Sequence, residues 1–562
     1  MKKQIRFIFL MGLLTGFALP HYAQESPRDK GLSAITKEAL QGQLEFLASD
    51  WTEGRETGTK GEYMASDYIA SMFKLYGLTP GGDLEAARMG GRGQRPTAGA
   101  AAQRPEPKRT YFQNINFIES YPGETQEMSI ITKSGSGSRA VDFAYQTDFS
   151  VTPGQVGIEA EVPIVFIGYG LVDEKNGYDD FKGLDLKGKI VIKLNGYPGS
   201  KDMNSKAYEK FKPAVQTPDP NAPRQFRPGG FGRYPWANEK GVVGIIEIRT
   251  VNDPTTQWAA NVPFRYNTAT YEGDVPQSRI RKSMQIMNDK VDVGYMTLQV
   301  TDRVINEIIS GSGIDIAAIE KQIAETGKPA SRELTGKFMH IKTTVESRIV
   351  RGRNVVGVIE GKNPDEIVVI GGHYDHLGKQ DGFIFNGADD NASGTVGVMT
   401  IAKAMMATGI KPEKTMVFCA WTGEEKGLLG SKFFADHPYK DKILCDLNFD
   451  MISRNDPGEN MDNKIMMNYS NKFPISRELV EKFNKDLNMG LEIKFTGSEK
   501  PGGGSDHASF SAKDIPIYYF MAGMPPEYHK FNDHIELVVW DKFVKIVQLG
   551  YLSLFEIVQN WK

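Results

Sequence analysis

The sequence predicts an α/β fold. Its C-terminal part is a mainly parallel central sheet flanked by helices, preceded by an inserted β-rich domain. Three observations carry this expectation. After Arg351, continuous apolar runs alternate with helical patterns, as in a sheet covered on both faces. Between about Ser120 and Ser347, short β-rich runs such as VPIVFIGYG, KGKIVIKLNG and VVGIIEI are separated by turn residues,. The 562 residues also exceed what one compact core usually holds, so two or more domains are expected,.

At the N-terminus, MKKQIRF supplies positive charge, FIFLMGLLTGFAL a short apolar core, and PHYAQ a small, polar end. That layout predicts a secretory signal peptide over residues 1–24 and export, to the periplasm or beyond the cell. The apolar run is too short to span a membrane comfortably, so no stable span is expected once it is removed. Residues 25–120 are read as the N-terminal part of the main domain, with helical spacing in ITKEALQGQLEFLAS and KGEYMASDYIASMFKLYG around a polar loop, DWTEGRETGTKG,. Within it, 81–109 is nearly devoid of large apolar residues and predicts a mobile surface loop,. Residues 121–347 form the insert, which contains a second Pro/Gly/Arg-rich loop, TPDPNAPRQFRPGGFGRYP. Residues 348–562 form the rest of the main domain. Its strand candidates are NVVGVIEG, EIVVIGGHYD, TMVFCAWTG, CDLNFDMI and IPIYYFMAG, with helical patterns at Gly394–Ala407, Leu428–Asp436, Ser476–Leu487 and Lys542–Gln559.

Bulk properties exclude several classes. The net charge of −3 gives no basic face for nucleic acid and no polybasic tract for anionic lipid,. Two cysteines, Cys419 and Cys445, exclude a disulfide scaffold and a cysteine-based zinc site,. Both read as small buried hydrophobes, able to pair only if their strands are neighbours. There is no G-x-S-x-G elbow and no H-E-x-x-H, so serine hydrolase and zincin readings lack their signatures,.

In parallel sheets the ligand site lies beyond the C-terminal strand ends. Here EIVVIGG is followed by His373, Asp375 and His376. GADDNASG (Gly387–Gly394) opens a helix, TMVFCAWTG ends in Glu424 and Glu425, CDLNF in Asp450, and the last strand leads to Tyr528, His529 and Asp533. Buried carboxylates packed together cost several kcal/mol each unless paired or metal-bound. A divalent cation is the economical partner, and mixed imidazole and carboxylate donors suit zinc, with cobalt or manganese as substitutes.

HYDH, GADDNASG, TGEEKGLLGS, NFDMI and the late YH-x₃-D resemble the M28 family of co-catalytic zinc aminopeptidases, over about Asn354 to Lys562. LASDWTEGRETGTKGEYMASDYIASMFKLYGLTP is similar to the family's opening helices. GYGLVDEKNGYDDFKGLDLKGKIVIK and EKGVVGIIEI resemble a protease-associated (PA) domain. The resemblance implies a zinc-exopeptidase-like fold and two zinc ions per chain. Asp390 would bridge them, His373 and Asp450 would complete one set of ligands, and Glu425 and His529 the other. Glu424 would be the general base, Asp375 would orient His373 through its second ring nitrogen, and Tyr528 would stabilise the tetrahedral intermediate. Asn391 follows the bridge where the family has a strained peptide link, and Asp533 would support the ligands from outside. His507, in GGGSDHASF, would line the pocket, whereas His376, His437 and His534 are read as structural or exposed.

The implied activity is an aminopeptidase acting on peptide substrates. A carboxypeptidase for acidic C-termini would need an arginine patch, for which Arg454 is the one nearby candidate. A glutaminyl cyclase typically has tryptophan before the final histidine, where this chain has Tyr528. A silent receptor-like protein would have lost ligands, and all five are present here along with Glu424.

Overall fold

The computed structural model describes residues 25–85, 108–212 (apart from 153 and 155), 234–248, 282–288, 295–380 and 382–561. The expected signal peptide, most of the 81–109 loop and most of the second Pro/Gly/Arg-rich loop lie outside the described residues.

Among the described residues a 16-stranded sheet joins the strands of the insert to those of the C-terminal half. In its C-terminal half, Asn363–His373 lies between Lys414–Trp421 and Lys442–Phe449, parallel to both. Ile517–Met521 continues the parallel set beyond Lys442–Phe449. The edge beyond it is Lys464–Ser470, antiparallel to Ile517–Met521, and Glu492–Ser498. These last two strands were not anticipated. EIKFTGS alternates apolar and polar residues, and KIMMNYS has only the short apolar run IMM with alternating burial, so neither shows the longer apolar runs of the central strands.

The central strands are apolar throughout because both faces are covered. Val368 and Ile370 enter one core, while Ile367 and Val369 enter the other. Met416, Phe418 and Ala420 alternate with Val417, Cys419 and Trp421 in the same way. Helices Lys60–Tyr76, Gly394–Ala407 and Trp540–Asn560 contribute Phe73, Val398 and Leu552 to the first core. Leu429–Asp436 and His507–Ser511 contribute Phe434 and Phe510 to the second. Cys419 and Cys445 are buried and free. Their strands flank Asn363–His373 on opposite sides and the two thiols sit in opposite cores, so they cannot pair.

The N-terminal helices begin where the sequence supplies caps. Thr36 and Thr59 accept hydrogen bonds from Ala39 and Glu62 backbone N–H groups, and Gly77, at φ 92°, ends the second helix in the left-handed region,. Between them, Asp50–Arg55 forms a 3₁₀ turn inside the stretch expected to be a loop.

The insert joins the main sheet through two long antiparallel strands, Phe112–Ser134 and Arg332–Ile359. Arg332–Ile359 pairs with Ile158–Phe166 at one end and Lys414–Trp421 at the other, so the expected boundary at 347/348 falls within a continuous strand. Ile158–Phe166, Ile190–Leu194, Gly244–Ile248 and Met296–Val300 are consecutive parallel neighbours. The insert is also more helical than its sequence texture suggested. Asp302–Ile309 and Ile316–Thr326 bury Val304, Ile308, Ile319 and Ile323 at helical spacing.

Candidate metal centre

Every strand end singled out in the sequence opens on one place. His373 is the last residue of its strand. Its Nε2 lies 3.5 Å from Asp390 Oδ1, 3.5 Å from Asp450 Oδ1 and 3.9 Å from Glu424 Oε2. On the other side of Asp390, His529 Nε2 is 3.1 Å from Asp390 Oδ2 and 3.1 Å from Glu425 Oε2. The two oxygens of Asp390 thus face two separate imidazoles. Tyr528 stacks on His529 with ring centroids 3.8 Å apart.

Backbone and side-chain contacts fix this geometry. The Asp390–Asn391 peptide bond is cis. Asn391 donates to the Phe449 carbonyl at 2.9 Å and accepts from the Met451 N–H at 3.1 Å, tying the Asp390 loop to the Asp450 loop. Asp533 accepts from the Asp389 and Asp390 N–H groups at 3.0 and 3.1 Å. Asp375 acts differently from expectation. His373 Nδ1 lies 3.1 Å from the Asp375 carbonyl oxygen and 3.8 Å from its carboxylate. That carboxylate accepts instead from the Glu424 N–H at 3.1 Å, the Glu425 N–H at 3.4 Å and the Thr57 hydroxyl at 3.1 Å. Asp375 therefore holds the histidine with its backbone and the glutamate pair with its side chain.

Two further residues bear on the site. His376, read from the sequence as structural or exposed, is fully buried, and its Nδ1 lies 2.7 Å from Glu425 Oε1. It sits three positions after His373 in the same loop, which was the available signal. Arg55, also fully buried, donates to the carbonyls of Tyr374, Leu47, Asn386 and Gly387 at 2.5–2.9 Å. One guanidinium thereby fastens the His373 loop and the Asp390 loop to the N-terminal helix. Burial pulls its pKa down to about 10, with Asp390, Asp533, Asp375 and Glu425 opposing, so it stays charged at neutral pH. Removing a buried charge of this kind costs about 3–5 kcal/mol. Arg55→Met is therefore expected to lower the melting temperature sharply and to reduce bound metal together with it. Calorimetry with metal analysis checks this, and an unchanged melting temperature would contradict it. His507 stacks on Tyr519 at 4.4 Å, and Arg454 is committed to Glu527 at 2.5 Å and Asp533 at 3.5 Å.

The electrostatics show what the donor set needs. Burial, reinforced by Glu425, Asp506 and Asp450, pushes the Glu424 carboxyl well above the usual carboxylate range despite the nearby His373. Burial raises Asp375 to about 6. Burial opposes charge on His529, but Glu425 and Asp390 outweigh it and raise the imidazole to about 10. Without a cation, the crowded carboxylates take up protons or gather imidazolium partners, and a divalent ion relieves that crowding. Asp450 Oδ1 is buried and has no hydrogen-bond partner among the described residues, leaving a lone pair to offer. His373, Glu424 and Asp450, and separately His376, Asp390 and Glu425, present donor atoms within 4.8 Å of one another. The residues present fit metal binding: His373, Glu424 and Asp450 form one donor group, and Asp390 and Glu425 lie close to His529 on the other side.

The chain is 24% identical to a glutamate carboxypeptidase 2 homolog of Caenorhabditis elegans, over 71% of its own length and 55% of the relative's. It is 31% identical to leucine aminopeptidase 2 of Trichophyton equinum, over 47% of its length and 55% of the relative's. It thus spans about half the length of these curated relatives. Among solved structures, an aminopeptidase from Aneurinibacillus sp. strain AM-1 superposes with a TM-score of 0.54 at 17% identity, covering 95% of this chain and 96% of that one, a likeness of fold. Residues 354–551, which hold all the strand ends described above, match the model of peptidase family M28.

Proposed function

We propose that this protein is a zinc-dependent exopeptidase, an aminopeptidase that removes N-terminal residues from peptides with two metal ions per chain. The observation that carries the reading is the Asp390 carboxylate, whose two oxygens face His373 and His529 separately. His373 and Asp450 would hold one ion, Glu425 and His529 the other, with Asp390 shared. When bound, such ions supply Lewis acidity and lower the pKa of a coordinated water toward neutrality.

The chain's own residues do the rest. Glu424 takes a proton from the attacking water and passes it to the departing amine, as a positioned general base and then acid. Its backbone N–H is pinned by Asp375, which keeps the carboxylate beside His373. Tyr528, stacked on His529, donates to the substrate carbonyl oxygen as that oxygen gains negative charge,. Ligands from five loops hold these groups before substrate arrives, so little reorganisation is needed during reaction.

The reading extends to the rest of the chain. The insert over 121–347 is read as a PA-like domain and 348–562, with 25–120, as the peptidase domain. The basic–apolar–polar N-terminus supports export,. Among the described residues no helix is long and apolar enough to cross a membrane.

A panel of aminoacyl-arylamides tests the substrate class, alongside N-acetylated versions and peptides ending in glutamate. Cleavage restricted to substrates with a free α-amine, lost on chelation and restored by zinc, is expected. Release of C-terminal glutamate from N-blocked peptides would instead favour the carboxypeptidase reading suggested by one relative's name. The pairing of Arg454 with Glu527 and Asp533 argues against that outcome.

A further inference from the structure

Glu425 faces two imidazoles. Its Oε2 lies 3.1 Å from His529 Nε2, and its Oε1 lies 2.7 Å from His376 Nδ1. The proposed function uses the first contact and leaves the second without a role. His376 is held tightly. Its ring is fully buried, and its backbone N–H donates to the Arg55 carbonyl at 3.2 Å. The ring also lies against Gly387, where a Cβ would come within 2.5 Å of His376 Cδ2. Gly387 is at φ 55°, so the absence of a side chain serves both the turn and the space for the imidazole,.

A contact of 2.7 Å between an imidazole nitrogen and a carboxylate oxygen is a charge-assisted hydrogen bond, with the proton on the nitrogen. A nitrogen that donates in this way has no lone pair for a metal. Nδ1 is also 3.8 Å from Asp390 Oδ2, farther than His529 Nε2 at 3.1 Å. His376 is therefore placed to orient a ligand. Metal-binding carboxylates are held by outer hydrogen bonds, and loss of such a partner typically costs about 10–100-fold in metal affinity.

We propose that His376 is a positioning residue for Glu425: by donating from Nδ1 to Oε1 it turns Oε2 toward the ion shared with His529 and Asp390. This rests on the two-ion reading above. Because His373 and Asp450 lie on the far side of Asp390, the effect is confined to one of the two ions. Asparagine places an amide N–H close to where Nδ1 sits, whereas phenylalanine fills the space with no donor.

Metal-stripped wild type, His376→Asn and His376→Phe are titrated with zinc against a chromophoric chelator, with melting of each metal-free protein recorded in parallel. Wild type is expected to bind two ions. His376→Phe should keep one affinity unchanged and weaken the other about 10–100-fold, and His376→Asn should recover most of that loss. Unchanged affinities in His376→Phe, or equal weakening of both ions alongside a lowered melting temperature of the metal-free protein, would overturn the assignment alone. So would failure of His376→Asn to recover any of the affinity. Uptake of a single ion by wild type would overturn the two-ion reading, and this assignment with it.

Discussion

Glu424→Gln is expected to lower kcat by about 10²–10⁴-fold, the usual contribution of a positioned general base, while the bound metal stays in place. At about 1.4 kcal/mol per decade this is roughly 3–5 kcal/mol of barrier. Glutamine keeps the volume and the backbone N–H that Asp375 holds, so the loop itself should not move. What it removes is the oxygen that can accept a proton. Distances alone leave another role open, because Glu424 stands with His373 and Asp450 in one potential donor group. Metal analysis of the variant separates the two. Retained metal with lost turnover identifies Glu424 as the base. Metal lost in step with activity would make it a ligand, and the mechanism would need a different proton acceptor.

The clustering of these histidines and carboxylates was legible in the sequence because parallel strands end at one edge. Each strand of a parallel sheet ends at the same edge, so a histidine or carboxylate just after EIVVIGG, TMVFCAW or CDLNF must face a common crevice whatever the register. The strands themselves were legible because burial on both faces makes them continuous apolar runs. Where only one face is covered that signal fades, which is why Lys464–Ser470 and Glu492–Ser498 were not foreseen.

His376 and Arg55 were overlooked for a different reason. Arg55 finds its acceptors on backbone carbonyls of Leu47, Tyr374, Asn386 and Gly387, positions up to 332 residues away that carry no side-chain signature. His376 pairs with Glu425, 49 residues on, and its neighbour His373 had already satisfied the motif. Asp375 illustrates the finer limit. The resemblance implied that Asp375 orients His373 through its second ring nitrogen; the Asp375 carbonyl lies 3.1 Å from that nitrogen, while its carboxylate turns toward the Glu424 and Glu425 N–H groups. Motif spacing gives the residues of a site, whereas the direction in which each side chain points depends on loops that meet only in the folded chain.

Asp390→Asn carries the other large expected effect. Its oxygens lie 3.5 Å from His373 Nε2 and 3.1 Å from His529 Nε2, so one substitution weakens both proposed metal positions. The amide has the same shape but half the acceptor capacity and no charge. Activity should fall by well over the roughly 100-fold typical of losing an outer hydrogen-bond partner. Single-ligand variants on either side, such as His529→Ala, should instead deplete one ion and spare the other.

The most direct test of a shared carboxylate is metal content, measured on wild type and Asp390→Asn after equilibration in the same zinc-buffered solution. Two zinc ions per chain in wild type and depletion of both in the variant are the predicted result. One ion in wild type, or a variant that keeps a full pair, would contradict the account.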